Sequence, residues 1–90
     1  MTIIKIPTPL RKFTQEKGEV EADGNTVKEV IDNLEKKYHG IKQRLCDEAG
    51  EIRKYINIYV GEDDIRFLQG TNTKLEGKKE ITIVPAIAGG

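Results

Sequence analysis

The sequence holds one cysteine, Cys46, and one histidine, His39. A lone cysteine closes no intrachain disulfide, and secreted domains of this size are usually disulfide-stapled, so the expected location is cytoplasmic. A metal site needs several nitrogen or sulfur ligands, and one of each does not supply them; no metal is expected. Neither sign of charge is in excess: fifteen Lys and Arg balance fifteen Asp and Glu. No global field therefore draws the chain to nucleic acid or to an anionic membrane. The pairs Arg11-Lys12, Lys36-Lys37 and Lys78-Lys79 are too short to form basic patches. No apolar run approaches the ~20 residues that span a bilayer, and no secretory apolar region stands at the start. A G-x-x-x-x-G-K-[ST] loop is absent, so nucleotide chemistry is not expected of this chain. Glu62, Asp63 and Asp64 cluster after Gly61 as solvated turn residues, and no nucleophile–base constellation stands elsewhere. The expectation is a protein that is not an enzyme.

What is present is a change of period along a chain long enough for one domain. Ile3, Ile4 and Ile6 form a β-branched run that Pro7 and Pro9 stop, which predicts a first strand with Ile4 and Ile6 on one face. Glu19-Val20-Glu21-Ala22 alternates and predicts a return strand, after a loop from about Leu10 to Lys17 with Gly18 in its turn. Thr26-Val27-Lys28-Glu29 has capping-box spacing. Val27, Val30, Ile31, Leu34 and Tyr38 then follow helical spacing, and Gly40 suits the helix end. Ile41 and Leu45 suggest one more helical turn facing inward.

From Tyr55 the pattern is strand again: Ile56, Ile58 and Val60 alternate with Tyr55, Asn57 and Tyr59. Turn residues occupy 61–64, and Ile65-Arg66-Phe67 reads as a short pairing strand. Ile81-Thr82-Ile83-Val84 is the last strand, closed by Pro85, which brings no N–H to a ladder. One apolar helix stripe covered by a mixed sheet makes a two-layer α+β domain over residues 1–85. Parity puts Ile81 and Ile83 inward and Val84 outward. With Phe67 or Leu68 nearby, Val84 would form a small apolar partner surface. Residues 86–90, Ala86-Ile87-Ala88-Gly89-Gly90, read as a flexible tail. Gly is about 7% of ordinary residues, so two at the last two positions is roughly a one-in-200 coincidence. Without Cβ atoms, such an end lets another protein close around the main chain and reach a terminal carboxylate.

A hairpin, a helix opening Thr26-Val27-Lys28-Glu29-Val30, the block Leu75-Glu76-Gly77-Lys78-Lys79-Glu80-Ile81-Thr82-Ile83-Val84-Pro85 and a final Ala88-Gly89-Gly90 together resemble the MoaD/ThiS sulfur carriers. These are β-grasp, ubiquitin-like proteins, and the resemblance covers nearly the whole chain. Tyr55-Ile56-Asn57-Ile58-Tyr59-Val60 followed by Asp64-Ile65-Arg66 looks most like the CysO-type subgroup. Lys78-Lys79 departs from the acidic turn more usual there.

The resemblance implies a four- to five-stranded mixed sheet on one main helix. It also implies that a ubiquitin-activating-type adenylating enzyme threads Ala86, Ile87, Ala88 and Gly89 toward its ATP and activates the Gly90 carboxylate. A sulfur donor then leaves a thiocarboxylate, which a sulfur-accepting biosynthetic enzyme consumes in cysteine, thiamine, molybdopterin or tRNA thiolation. The chain itself would need no cofactor and would be a monomer when free. Two relatives of this reading stay open: a modifier conjugated to lysine through Gly90, and the small subunit of molybdopterin synthase. A noncovalent adaptor with an incidental Gly-Gly is the reading from outside that chemistry.

Overall fold

The computed structural model describes residues 2–76 and 80–85. The expected tail, 86–90, and the Lys78-Lys79 pair lie outside the described residues. Five strands form one sheet: β1 (Thr2–Lys5), β2 (Glu19–Ala22), β3 (Ile56–Val60), β4 (Asp63–Asp64) and β5 (Glu80–Pro85). Their spatial order is β2-β1-β5-β3-β4. β1 and β5 run parallel, Ile4 beside Ile81, and every other pairing is antiparallel. The C-terminal strand is therefore the central one.

Period-2 alternation sorts the sheet residues as the sequence predicts. Ile4, Val20, Ala22, Ile56, Ile58, Val60, Ile81 and Ile83 are buried. Helix α1 (Val27–Lys37) covers that face with Val27, Val30, Ile31 and Leu34, all buried. Helix α2 (Ile41–Leu45) adds Ile41 and Leu45, both fully buried. Burying side chains of this size stabilises by roughly 1.5–3 kcal/mol each, which is what holds two layers together without a disulfide.

Helix α1 starts where the capping box predicts. Glu29 N–H donates to Thr26 Oγ1 at 3.2 Å. The reciprocal bond differs by one residue, because Glu29 Oε1 accepts from the N–H of Asn25 at 2.9 Å. The same corner is tied to the segment before β5: Val27 N–H donates to Thr73 O and Leu75 N–H to Asn25 O. Gly24 cannot carry a side chain here, since a Cβ would stand 2.7 Å from the backbone nitrogen of Val30. At the other end α1 is capped by Tyr38, and Gly40, at φ +99°, turns the chain into α2. It thus sits one position beyond the place expected for it.

Two local predictions are corrected. Ile65–Phe67 is a 3-10 turn, not a strand; the carboxylate of Asp64 accepts from Arg66 N–H at 2.8 Å and winds the chain there. The strand that pairs with β3 is instead the two-residue β4. The start of the β3 edge is covered by Arg66, whose guanidinium donates to Ile56 O at 2.8 Å and Lys54 O at 3.1 Å. A side chain thus satisfies carbonyls that an open sheet edge would present to another chain. The β1–β2 connection also has structure of its own. Thr8–Phe13 is a 3-10 helix with Pro9 in its first turn. The chain then reverses through Gln15 and Glu16, both left-handed, rather than at Gly18. Thr14 is fully buried beneath this turn, its hydroxyl 2.9 Å from Lys17 O and 3.2 Å from Arg11 O.

Candidate functional site

The chain leaves the sheet at Pro85, which pairs with Ile56 at the start of β3. Two surfaces meet there. On the outer sheet face, Val84 stands opposite Asn57 and Thr82 opposite Tyr59. Val84 is 38% exposed while its neighbour Ile83 is 4% exposed, so the expected parity holds. Asn57 Oδ1 is buried and finds no hydrogen-bond partner among the described residues. An unmade bond of this kind costs about 1–3 kcal/mol. Further along the same face Lys5 and Glu80 approach to 3.4 Å, both half exposed. Such an exposed pair contributes at most about 1 kcal/mol.

Phe67 and Leu68 are also exposed, at 87% and 45%. Leu68 lines a cleft of about 550 Å³ with Val60, Thr73 and Leu75. Val60 lies at the far end of β3, opposite Ile81, three residues from the Asn57–Val84 pair. Three strand residues span roughly 10 Å. The structure thus places Val84 and Leu68 at opposite ends of β3, with Phe67 on the 3-10 turn that precedes Leu68. Gly90, Gly89, Ala88, Ile87 and Ala86 lie outside the described residues.

The second surface at Pro85 has no counterpart in the sequence reading. A cleft of about 400 Å³ is lined by Pro9, Leu10, Phe13, Tyr55, Ile56 and Pro85, with Lys12 and Arg44 on its sides. The 3-10 helix builds it. In such a helix residues i and i+3 eclipse, so Leu10 turns into the core and Phe13 follows on the same side against Gly40. Tyr55 immediately precedes β3 and lines this cleft. The spacing Pro7-x-Pro9 with apolar residues at 10 and 13 was the available signal for it.

The polar groups around α1 and α2 have structural explanations. The carboxylate of Glu35 accepts from Gly40 N–H at 3.0 Å and Lys42 N–H at 2.9 Å, joining α1 to α2. The Gly40 bond is the chief reason its carboxyl sits below the ordinary range. Lys42 donates to Asp32, which raises the pKa of the amine. His39 is a surface residue whose Nδ1 lies 3.8 Å from Glu35 Oε2. Cys46 is buried, and burial pushes its thiol up, away from the nucleophilic thiolate. No group of His, Cys, Asp and Glu able to hold a metal occurs among the described residues. No helix among them is long and apolar enough to cross a membrane.

Comparison with known proteins follows the same lines. The model of the ThiS family matches residues 4–90. The sulfur carrier protein CysO of Mycobacterium tuberculosis is 42% identical over 89 residues, 97% of this chain and 96% of that protein. A chain in the crystal structure of the Amycolatopsis orientalis BexX/CysO complex superposes with a TM-score of 0.93 at 41% identity, covering 100% of both chains. The solution structure of the small archaeal modifier protein SAMP1 from Methanosarcina acetivorans superposes with a TM-score of 0.83 at 28% identity, covering 99% of this chain and 95% of that one.

Proposed function

Because this chain belongs to the ThiS family and has the β-grasp fold of CysO-like sulfur carrier proteins, we propose that it carries sulfur as a thiocarboxylate on Gly90. The observation that carries this reading is the family match through residue 90. It is supported by a central strand that ends at Pro85 and leads directly into Ala86-Ile87-Ala88-Gly89-Gly90.

The chemistry divides between this chain and its partners. A carboxylate oxygen of Gly90 attacks the α-phosphorus of ATP in an adenylating enzyme of the ubiquitin-activating type, and pyrophosphate leaves. The resulting acyl-adenylate has AMP as its leaving group in place of oxide. A sulfur donor attacks the acyl carbon, AMP departs, and sulfur occupies the place of one carboxylate oxygen. The anion then serves a sulfur-accepting biosynthetic enzyme as a nucleophile held on one carrier. This chain supplies the acyl group, a narrow approach and a folded body as handle, with no cofactor of its own. Extended, residues 86–90 reach ~17 Å, enough to cross the wall of an active-site cleft. Val84 on the outer face is the docking residue nearest that segment. The BexX/CysO complex supports a partner-protein role of this kind.

The test is the intact mass after incubation with the cognate activating enzyme, ATP and a sulfide source. The expected gain equals sulfur minus oxygen and is lost when Gly90 is deleted or followed by one added residue. Conversion of the extended chain would refute the role of the Gly90 carboxylate. Gly89→Val should fold normally and resist activation, because two methyl groups would fill the space that a closing partner needs.

The likeness to SAMP1 favours one second reading, conjugation of Gly90 to lysine. Lys79 is the last basic residue, so trypsin would leave residues 80–90 on a modified lysine. That remnant on cellular proteins would establish it.

A further inference from the structure

The cleft beside Pro85 differs from the cleft at Leu68, which Asp63 and Glu76 help to line. Its floor is apolar: Pro9, Leu10, Phe13, Tyr55, Ile56 and Pro85. Its charged residues are both cations. Lys12 Nζ stands 5.5 Å and the Arg44 guanidinium 5.3 Å from the centre of the Phe13 ring. Among the described residues neither forms an ion pair and no carboxylate lines the cleft. Two cations are thus held over one ring in a chain whose overall charge is zero. The ring faces favour them, and an aromatic side chain with cations poised over it remains complementary to an incoming anion. Tyr55 is 42% exposed although it sits among apolar neighbours.

The geometry points to a docking site for an acidic segment of a partner protein, which places an apolar side chain against Phe13 and Tyr55 and carboxylates against Lys12 and Arg44. The cleft volume of about 400 Å³ suits one or two apolar side chains. Its cationic sides select against basic segments. Two cations are too few to anchor a polynucleotide, whose binding is dominated by phosphate neutralisation. The position matters as much as the composition. Pro85 belongs both to the cleft wall and to the strand that leads into residues 86–90. A partner seated there would hold the chain on the opposite side of its exit from Val84. The inference rests on the carrier reading only for the arrival of a partner at this corner.

The test is a titration of the full-length, isotope-labelled protein with two short amidated peptides. Both have a central Phe-Leu; one is flanked by Asp and Glu, the other by Lys and Arg. The acidic peptide should shift the backbone amides of Phe13, Arg44 and Tyr55 saturably, and the basic one should not. The double variant Lys12→Glu and Arg44→Glu, whose fold is checked by its melt, should weaken the acidic peptide by about tenfold or more and gain the basic one. Several outcomes would overturn the proposal: equal shifts from both peptides, shifts confined to Val84 and Tyr59, or binding of the acidic peptide only after residues 86–90 are removed. The last would make the chain's own segment the occupant. Tighter binding of oligothymidylate at the same amides would replace the acidic segment with a nucleic acid. Thiocarboxylate formation is read separately by mass. A cleft that titrates on a chain never thiolated leaves this inference standing and removes the carrier reading, and a silent cleft on a chain readily thiolated does the reverse.

Discussion

Ile83 and Val84 are adjacent, yet the sheet sends them to opposite faces, and one Asp at each position separates fold from docking. Ile83 is 4% exposed and pairs with Ile58, which is 1% exposed. Removing its side chain from the core forfeits about 1.5–3 kcal/mol. The new carboxyl must also stay neutral there. Raising an Asp from about 3.9 to above 7 costs roughly 4 kcal/mol, at 1.36 kcal/mol per unit. The sum, about 6–7 kcal/mol, compares with a total stability of roughly 5–13 kcal/mol for a domain of this length. Ile83→Asp should therefore be unfolded or nearly so at physiological temperature. The sign of its pH dependence also follows. A carboxyl whose folded-state pKa is raised destabilises most above that pKa, so the deficit relative to the parent chain should shrink as pH falls toward 4. Val84→Asp is a different case. Val84 is 38% exposed, so it loses partial burial and strand propensity, together about 1–2 kcal/mol. The melt should fall by roughly 5–15 °C and remain cooperative. Binding to the activating enzyme should weaken by about 1–3 kcal/mol, as at a moderate hot spot. The assay is a pair of melts beside a pair of binding titrations. An unfolded Val84→Asp beside a folded Ile83→Asp would refute the parity, and unchanged binding of a folded Val84→Asp would refute the docking role.

Three other perturbations probe the body. Leu34→Ala empties a position only 1% exposed in the helix–sheet core and should cost about 2–5 kcal/mol, read as a denaturation midpoint; a negligible change would refute the place of Leu34 in that core. Glu35→Gln should cost about 1 kcal/mol at pH 7 by weakening the bonds to Gly40 and Lys42. Because the folded-state carboxyl of Glu35 is depressed, its contribution is present above about 4.3 and lost as pH falls through the lower folded value, so variant and parent should converge once pH is below that folded value. Asn57→Val removes the buried Oδ1, which has no partner among the described residues, and supplies a β-branched residue opposite Val84, so the melt should rise by several degrees; a fall would mean that the amide makes a stabilising hydrogen bond that valine loses.

Periodicity carried the layers. The α1 stripe and the alternation in β3 and β5 are statements about which face is dry, and burial enforces them over many residues at once. What escaped the sequence was decided by single polar groups. Nothing in the composition of Ile65-Arg66-Phe67 opposes a strand; one carboxylate, Asp64, bends it into a 3-10 turn. Likewise the reversal falls on Gln15 and Glu16, because the buried Thr14 hydroxyl holds the turn that Gly18 was expected to make. The candidate site divides in the same way. Val84 followed from parity, whereas the Phe13–Tyr55 cleft depends on bringing a 3-10 helix, the end of α2 and the start of β3 to one corner. That is a tertiary fact with no periodic trace, and Leu68 could not be kept apart from Val84 without knowing how far along β3 each one stands.

The central place of β5 links quality control to chemistry. Its residues pair with β1 on one side and β3 on the other, so the last of the described strands is the one that closes the sheet. A chain interrupted before Glu80 would leave two inner strands with unpaired edges and a half-covered core, a state prone to aggregation and to proteolysis. The strand that leads into residues 86–90, the segment proposed to reach a partner, is the same strand whose loss would open the core. A translation product that stops before Glu80 would thus forfeit its fold and, on the proposed carrier reading, would not persist as a folded decoy competing for an activating enzyme.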